Sequence, residues 1–328
     1  MHNRSEPIKV VALWLMALMF VLVAAAMAIA VVNARVFGPE RAVEDYFGAL
    51  ESGDPATALG LLGAEVPAGN GLMLTPDAVR ASAEHIADVE VSETSIDDGR
   101  ATVEASFVAS GKTHTAKFDL VKTGTDWLFF DRWSFDQGSL PTLRIDAADT
   151  GDIHVNGVAS PVEKGSQTFP VLPPAVVEAS FEQKYFHAEP TRRVVTDAGS
   201  AEEPLKLKSE PTPTLIDEVT EQVNAYVDSC VEQNVLMPTG CPLTYDTDAR
   251  VDADTIEWKV VEYPKVEITA FDGSWVLRPM EMNIRLSLVE QDLATGRRED
   301  VALEKAYGFT AKLDVGADSV RVTPVASE

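Results

Sequence analysis

Residues 39–62 read PERAVEDYFGALESGDPATALGLL, and two helix signatures lie end to end in that stretch. Pro39 followed by Glu40 puts a fixed-φ residue at a first helical position and a carboxylate at the positive end of the helix dipole. Val43, Phe47 and Leu50 recur at helical spacing and mark one buried face. Ser52-Gly53-Asp54-Pro55 then ends that helix and starts another, with Asp54 as N-cap and Ala58, Leu59, Leu61 and Leu62 as its apolar residues. Thr75-Pro76-Asp77 repeats the start signal, so three short helices are expected in succession.

Toward the C-terminus the period changes from helical to two. Val103, Ala105 and Phe107 fall on one face of a strand, and Ala116, Phe118 and Leu120 on one face of the next. Turn signals at Asp97-Asp98-Gly99, at Gly111-Lys112 and around Gly124 separate the strands, and an aromatic run with Trp127, Phe129, Phe130, Trp133 and Phe135 closes the series. The expected result is an antiparallel meander packed on helices. The run 39–54, followed by 58–62, resembles the opening of NTF2-like domains, the cystatin-like, lumazine-binding-like α+β superfamily. That resemblance covers residues 39–137 and implies a cone of sheet and helices. It implies no single activity, because the superfamily includes isomerases, dehydratases, ligand carriers and inert scaffolds. Tyr46, Phe47, Phe118, Trp127 and Phe129 are the candidate pocket lining of such a cone; core packing accounts for the same aromatics. Tyr46 could orient a ligand with Asp126 or Asp131, or simply sit at the core edge of an amphipathic helix.

Beyond residue 137 the pattern is again β. Asn156-Gly157, flanked by Ile153, Val155 and Val158, is a hairpin signal, and residues 169–181 and 193–196 read as further strand material. This stretch is similar to the small β modules of membrane-anchored envelope proteins of Gram-positive, including actinobacterial, cells, among them the teicoplanin-resistance-associated type. Residues 197–213, rich in Ala, Ser, Glu, Lys and Pro, read as a linker. Leu215, Val219, Val223, Tyr226 and Cys230 then share one face of a helix ending near Asn234, before alternating runs at Ile256-Trp258-Val260, Val266-Ile268-Ala270 and Ile284-Leu286-Leu288. The turn at Met237-Pro238-Thr239-Gly240 returns Cys241 to that helix, so the expected Cys230–Cys241 disulfide pins its end to the first following strand. Its worth is roughly 2–3 kcal/mol on chain-entropy grounds.

Toward the N-terminus lies VVALWLMALMFVLVAAAMAIAVV, residues 10–32, with no charge between Lys9 and Arg35. As a helix it reaches roughly 35 Å against about 30 Å of hydrocarbon, which fits an uncleaved anchor. A cleaved signal peptide competes, since Ala28-Ile29-Ala30 and Val32-Asn33-Ala34 have cleavage spacing, but its apolar core is normally only about 7–15 residues. Arg4 and Lys9 on the short side place the N-terminus in the cytoplasm. The first 35 residues take three basic and one acidic residue from totals of 27 and 52, leaving 24 against 51 and a net charge of −27. Such a field repels phosphate backbones and anionic headgroups, so nucleic-acid binding and peripheral membrane docking are both disfavoured, and no nucleic-acid partner is expected.

Motifs for chemistry are sparse. Gly111-Lys112-Thr113 lacks the upstream Gly of a phosphate loop, Ser106 standing in its place. Residues 246–257 carry carboxylates at calcium-loop spacing, but Arg250 and Val251 occupy positions that need a ligand and a glycine. The five histidines have no ligand spacing. The expected fold is therefore α+β: cytoplasmic 1–9, transmembrane 10–32, NTF2-like 38–137, β module 142–196, linker 197–213, and a second helix-plus-antiparallel-sheet domain 214–324 with one disulfide. The expected function is a non-enzymatic, single-pass envelope protein with its C-terminal domains extracellular, no cofactor and no metal. It would bind or scaffold a cell-wall component, a small amphiphile or a membrane-protein partner. The alternative is an NTF2-like enzyme doing acid–base chemistry in the cone.

Overall fold

A computed structural model describes residues 5–127, 130–136, 138–147, 151–162, 165–197 and 199–325. The chain divides into two compact units, 1–181 with 188–208, and 182–187 with 209–328. It is an α+β protein whose strands are almost all antiparallel.

The first unit begins with α1 (Ser5–Val36). Within it, Val10–Val32 has a mean hydropathy of 2.9, and none of its most apolar window is buried by the rest of the chain. The helix is long and apolar enough to cross a membrane. Three helices follow as the caps dictate: α2 (Pro39–Ser52), α3 (Pro55–Leu62) and α4 (Pro76–Ala83), each with Pro in its first turn. Gly53 closes α2 in the left-handed region at φ 67°, where a Cβ would also press on Arg80 and the Pro76 carbonyl. Asp54 caps α3 by accepting from the Thr57 amide at 3.0 Å.

Next comes the meander β1 (Ile86–Asp97), β2 (Arg100–Ala109), β3 (Lys112–Asp126) and β4 (Phe130–Phe135), paired in that order. On β2, Ala101, Val103, Ala105, Phe107 and Ala109 are buried and alternate with more exposed residues. Ala116, Phe118 and Leu120 do the same on β3, and α2 lays Val43, Tyr46, Phe47 and Leu50 against this face. Two details differ from the sequence expectation. Gly124 lies inside β3, at a bulge between Lys122 and Gly124, and the chain turns only after Asp126. Trp127 therefore stands at the apex of the hairpin, not on the aromatic strand.

Eight further strands follow: β5 (Thr142–Ala147), β6 (Gly151–Val155), β7 (Val158–Val162), β8 (Ser166–Pro170), β9 (Ala175–Glu182), β10 (Phe186–Val195), β11 (Leu205–Leu207) and β12 (Glu210–Pro211). In unit 1 they form one sheet ordered β10-β9-β6-β7 and another ordered β11-β5-β8, in which β11 runs parallel to β5. The segment read as a linker thus carries strand pairing of its own. Asn156-Gly157 makes the β6–β7 turn with both residues at positive φ, 47° and 77°.

These strands share a core with the first meander. Leu140, Leu172 and Val176 belong to the same buried cluster as Val43, Tyr46 and Phe118. Polar ties run alongside. The buried Asn156 amide donates to the carbonyls of Ala78 at 3.2 Å and Val176 at 3.0 Å, while its oxygen accepts from the Glu178 amide at 2.7 Å. Ser82 accepts from the Val176 amide at 2.8 Å, holding α4 to β9. Gly69 runs so close to β8 that a Cβ there would lie 2.8 Å from the Thr168 carbonyl.

The second unit contains Phe186 and His187 paired with β12, then α5 (Pro213–Val231). After α5 come β13 (Arg250–Val251), β14 (Glu257–Glu262), β15 (Ile268–Phe271), β16 (Ser274–Leu277), β17 (Met280–Gln291), β18 (Arg298–Val315) and β19 (Val320–Val325). The main sheet runs β13-β17-β18-β19 with β14 also on β17, and α5 packs against β14 and β19. The buried stripe of α5 is Leu215, Val219, Val223, Val227 and Cys230. Val227, one i+4 step from Val223, replaces the expected Tyr226. That tyrosine lies at the stripe's edge and sends its hydroxyl to the Gly240 carbonyl at 2.8 Å.

Removing the Asn156 amide leaves two carbonyls and one amide without their partner in a buried site. Asn156→Ala is expected to cost about 2–4 kcal/mol, read as a lowered urea midpoint with an unchanged m-value. A loss below about 0.5 kcal/mol would show that the tie carries no weight.

Candidate functional site

The candidate lining residues have separate fates. Tyr46, Phe47 and Phe118 meet in the core with Phe135, in edge-to-face pairs whose centroids are 5.6–6.1 Å apart. Tyr46 is fully buried. Its hydroxyl donates to the Pro173 carbonyl at 2.7 Å, and burial pushes its pKa well above the ordinary value. A phenol so placed is a structural donor, not a group poised to exchange protons with a bound molecule. Trp127 is 87% exposed and does not join the cluster. Phe129 lies outside the described residues. The carboxylates that might have served Tyr46 are paired within the β3–β4 hairpin, Asp126 with Arg132 and Asp131 with Lys122.

At the rim of the same core is a hollow of about 390 Å3. Leu62 at the end of α3, Phe118, Phe135, Leu140 and Pro173 supply its apolar wall. Lys117, Asp119 and Asp136 edge it, and each has a partner: Glu104 at 2.8 Å from Lys117, the Thr102 hydroxyl at 2.8 Å from Asp119, and Arg100 at 3.2 Å from Asp136. The surface the hollow exposes is more polar than apolar, and its charged groups are already paired, so no reactive group stands free in it. Phe118 was among the candidate lining residues, and it borders this hollow from within the core. Leu140 and Pro173 were not, because they arrive from loops after the meander whose only sequence mark is an apolar residue beside proline.

The second unit holds two polar constellations. Lys184 donates to the Tyr185 hydroxyl at 2.7 Å, and that hydroxyl donates to Glu218 at 2.8 Å. The Tyr185 hydroxyl, with Glu218 beside it, holds the Lys184 pKa up, and the same hydroxyl, with Lys184, holds the Glu218 carboxyl down. Both groups therefore stay charged at neutral pH, which is the opposite of what a base amine or a proton-donating carboxyl requires. The second is a cleft of about 480 Å3 between β13 and β17, edged by Arg250, Asp252, Asp254, Glu290 and Arg298. Here the stretch with calcium-loop spacing is partly strand: Arg250 and Val251 pair with β17, and Asp252 is bridged by Arg298. Among the described residues, no group of three or more His, Cys, Asp or Glu converges as a metal site would need.

Cys230 and Cys241 are disulfide-bonded with Cα atoms 5.8 Å apart. Cys230 is buried near the end of α5. Cys241 lies in irregular chain before β13, so the bridge ties the helix to a loop, not to a strand as expected. Pro238 and Pro242 on either side deny that stretch ladder donors. The loop is further held by Gln233, whose side chain accepts from the Thr239 amide at 2.9 Å.

Tyr46→Phe keeps the ring and removes the donor to Pro173, at an expected cost of about 1–2 kcal/mol. Because the folded pKa is raised, the phenol's contribution is fully present below about pH 10 and fades as pH rises from there through the folded value, since unfolding then releases a proton. Denaturation of wild type and variant at neutral pH and above pH 10 should show the gap between them shrinking. A gap that widened with pH would contradict the assignment. Comparison with protein-family models, curated proteins and solved structures finds no match for this chain.

Proposed function

We propose that this chain is a single-pass membrane protein with a cytoplasmic N-terminus, whose two units lie on the exported side as a non-enzymatic binding or scaffold module. The carrying observation is α1: Val10–Val32 has its large side chains in the open, Trp14 72% and Phe20 77% exposed, with nothing among the described residues to cover them. Insertion gains about 0.3–0.6 kcal/mol for each central Leu, Ile, Phe or Val, against about 2.5–3.5 lost for each charge, and this span has no charge. Arg4 and Lys9 on the short side support an inside N-terminus, and the disulfide supports an oxidising compartment for the remainder.

The ligand is a cell-wall component, a small amphiphile or a membrane-protein partner, and the hollow beside Phe118 and Leu140, edged by Lys117, Asp119 and Asp136, is where we place it. We also place residues 38–137 in the NTF2-like superfamily, on the order of three helices followed by a four-stranded meander. Enzymatic use of that cone finds less support, since Tyr46 is sealed and the nearby carboxylates are ion-paired.

Protease added to intact spheroplasts should degrade both units, and a membrane-impermeant maleimide should label Cys230 and Cys241 only after reduction. Full protection of both units would overturn the assignment of side, and two thiols reactive without reductant would overturn the disulfide.

A further inference from the structure

We propose that the apex of the β3–β4 hairpin, led by Trp127, is a second membrane contact seated in the headgroup layer of the bilayer that α1 crosses. The inference rests on the anchor reading above and adds to it a fixed orientation of the first unit's meander toward the lipid.

Three observations place the hairpin there. Phe37, the residue after α1, stacks on Phe130, the first residue of β4, with ring centroids 4.5 Å apart and planes 26° from parallel. Phe37 lies five positions beyond Val32, the last of the apolar span, and at about 1.5 Å per helical residue that is roughly 7–8 Å. The headgroup layer on each side of a bilayer is about 5–8 Å deep, so the Phe37–Phe130 contact falls within it. Asp126 pairs with Phe130 across the hairpin, and Trp127 is the next residue. The indole is thus one residue from a backbone position that α1 holds at headgroup depth.

Trp127 is also the wrong residue for water. It is 87% exposed, with its backbone at φ 53°, in a conformation few residues other than Gly and Asn adopt. Indole, with a large apolar face and one N–H donor, is the side chain enriched where hydrocarbon meets headgroups. Charge is compatible with this seat. The protein as a whole is strongly acidic, which would repel an anionic leaflet, but the hairpin's own carboxylates are matched, Asp126 by Arg132 and Asp131 by Lys122. The apex therefore approaches lipid without an uncompensated negative charge from these strands.

The test uses the full chain in phospholipid nanodiscs, its native disulfide intact, with a nitroxide on one added cysteine at a time: Trp127→Cys, Leu22→Cys within α1, or Lys112→Cys at the β2–β3 turn as the aqueous reference. Power saturation with oxygen and with a water-soluble nickel chelate then gives depth. The expected result is nickel accessibility at 127 several-fold below that at 112, with oxygen accessibility between those of 112 and 22. In the unlabelled chain, brominated lipid should quench more fluorescence from wild type than from Trp127→Phe. If site 127 is as open to nickel as site 112 while site 22 reads as buried in lipid, the second contact is refuted and the anchor stands. If site 22 itself reads as aqueous, the anchor reading fails and takes this proposal with it.

Discussion

An apolar span, Val10–Val32, over which no other described residue packs, is the constraint from which the rest follows. Each Leu, Val and Phe between Val10 and Val32 needs a medium other than water, and among the described residues the protein supplies none. Lipid satisfies the requirement at the length observed. The proposed exported side is a compartment that suits both an acidic remainder and a disulfide.

The first unit shows how a small α+β core is completed from outside its own strands. The meander and its helices bring together Val43, Tyr46, Phe47 and Phe118, and Leu140 and Leu172 from the later loops with Val176 on β9 close the cluster. Polar groups sit at this junction with their bonds made: Tyr46 to Pro173, Ser82 to Val176, Asn156 to Ala78 and Val176. A buried polar group that is fully bonded adds specificity at little cost, whereas one left open would destabilise the unit. A hollow at the rim borders this core, with Phe118 and Phe135 behind it and Lys117, Asp119 and Asp136 at its edge.

Local chemistry made much of this readable from the residues. Proline and acidic signals located α2, α3 and α4, period-two burial located β2 and β3, Asn156-Gly157 located a hairpin, and heptad-like spacing located α5. The misreadings share one physical cause, long-range pairing that leaves no local trace. Leu205–Leu207 is too short to show a period, and it is a strand only because Thr142–Ala147 lies beside it. Trp127 has the same alternation phase as Trp133 and Phe135, and only the bulge at Gly124 moves the turn so that this residue is left at the apex. Tyr226 and Val227 are neighbours on the helix; Val227 joins the buried stripe, while Tyr226 at its edge packs on Phe309 and bonds the Gly240 carbonyl. Of the candidate lining, Tyr46 and Phe47 were legible as apolar-face residues, but whether such a face is a pocket or a core depends on the loops at Leu140 and Pro173.

The central claim is that the apolar span remains part of the protein and stays in lipid. Alkaline carbonate washing of membranes, followed by intact-mass measurement of the retained chain, tests it most directly. The account predicts the protein in the pellet with residues 10–32 still attached. Release into the supernatant, or a chain that begins beyond the span, would contradict it.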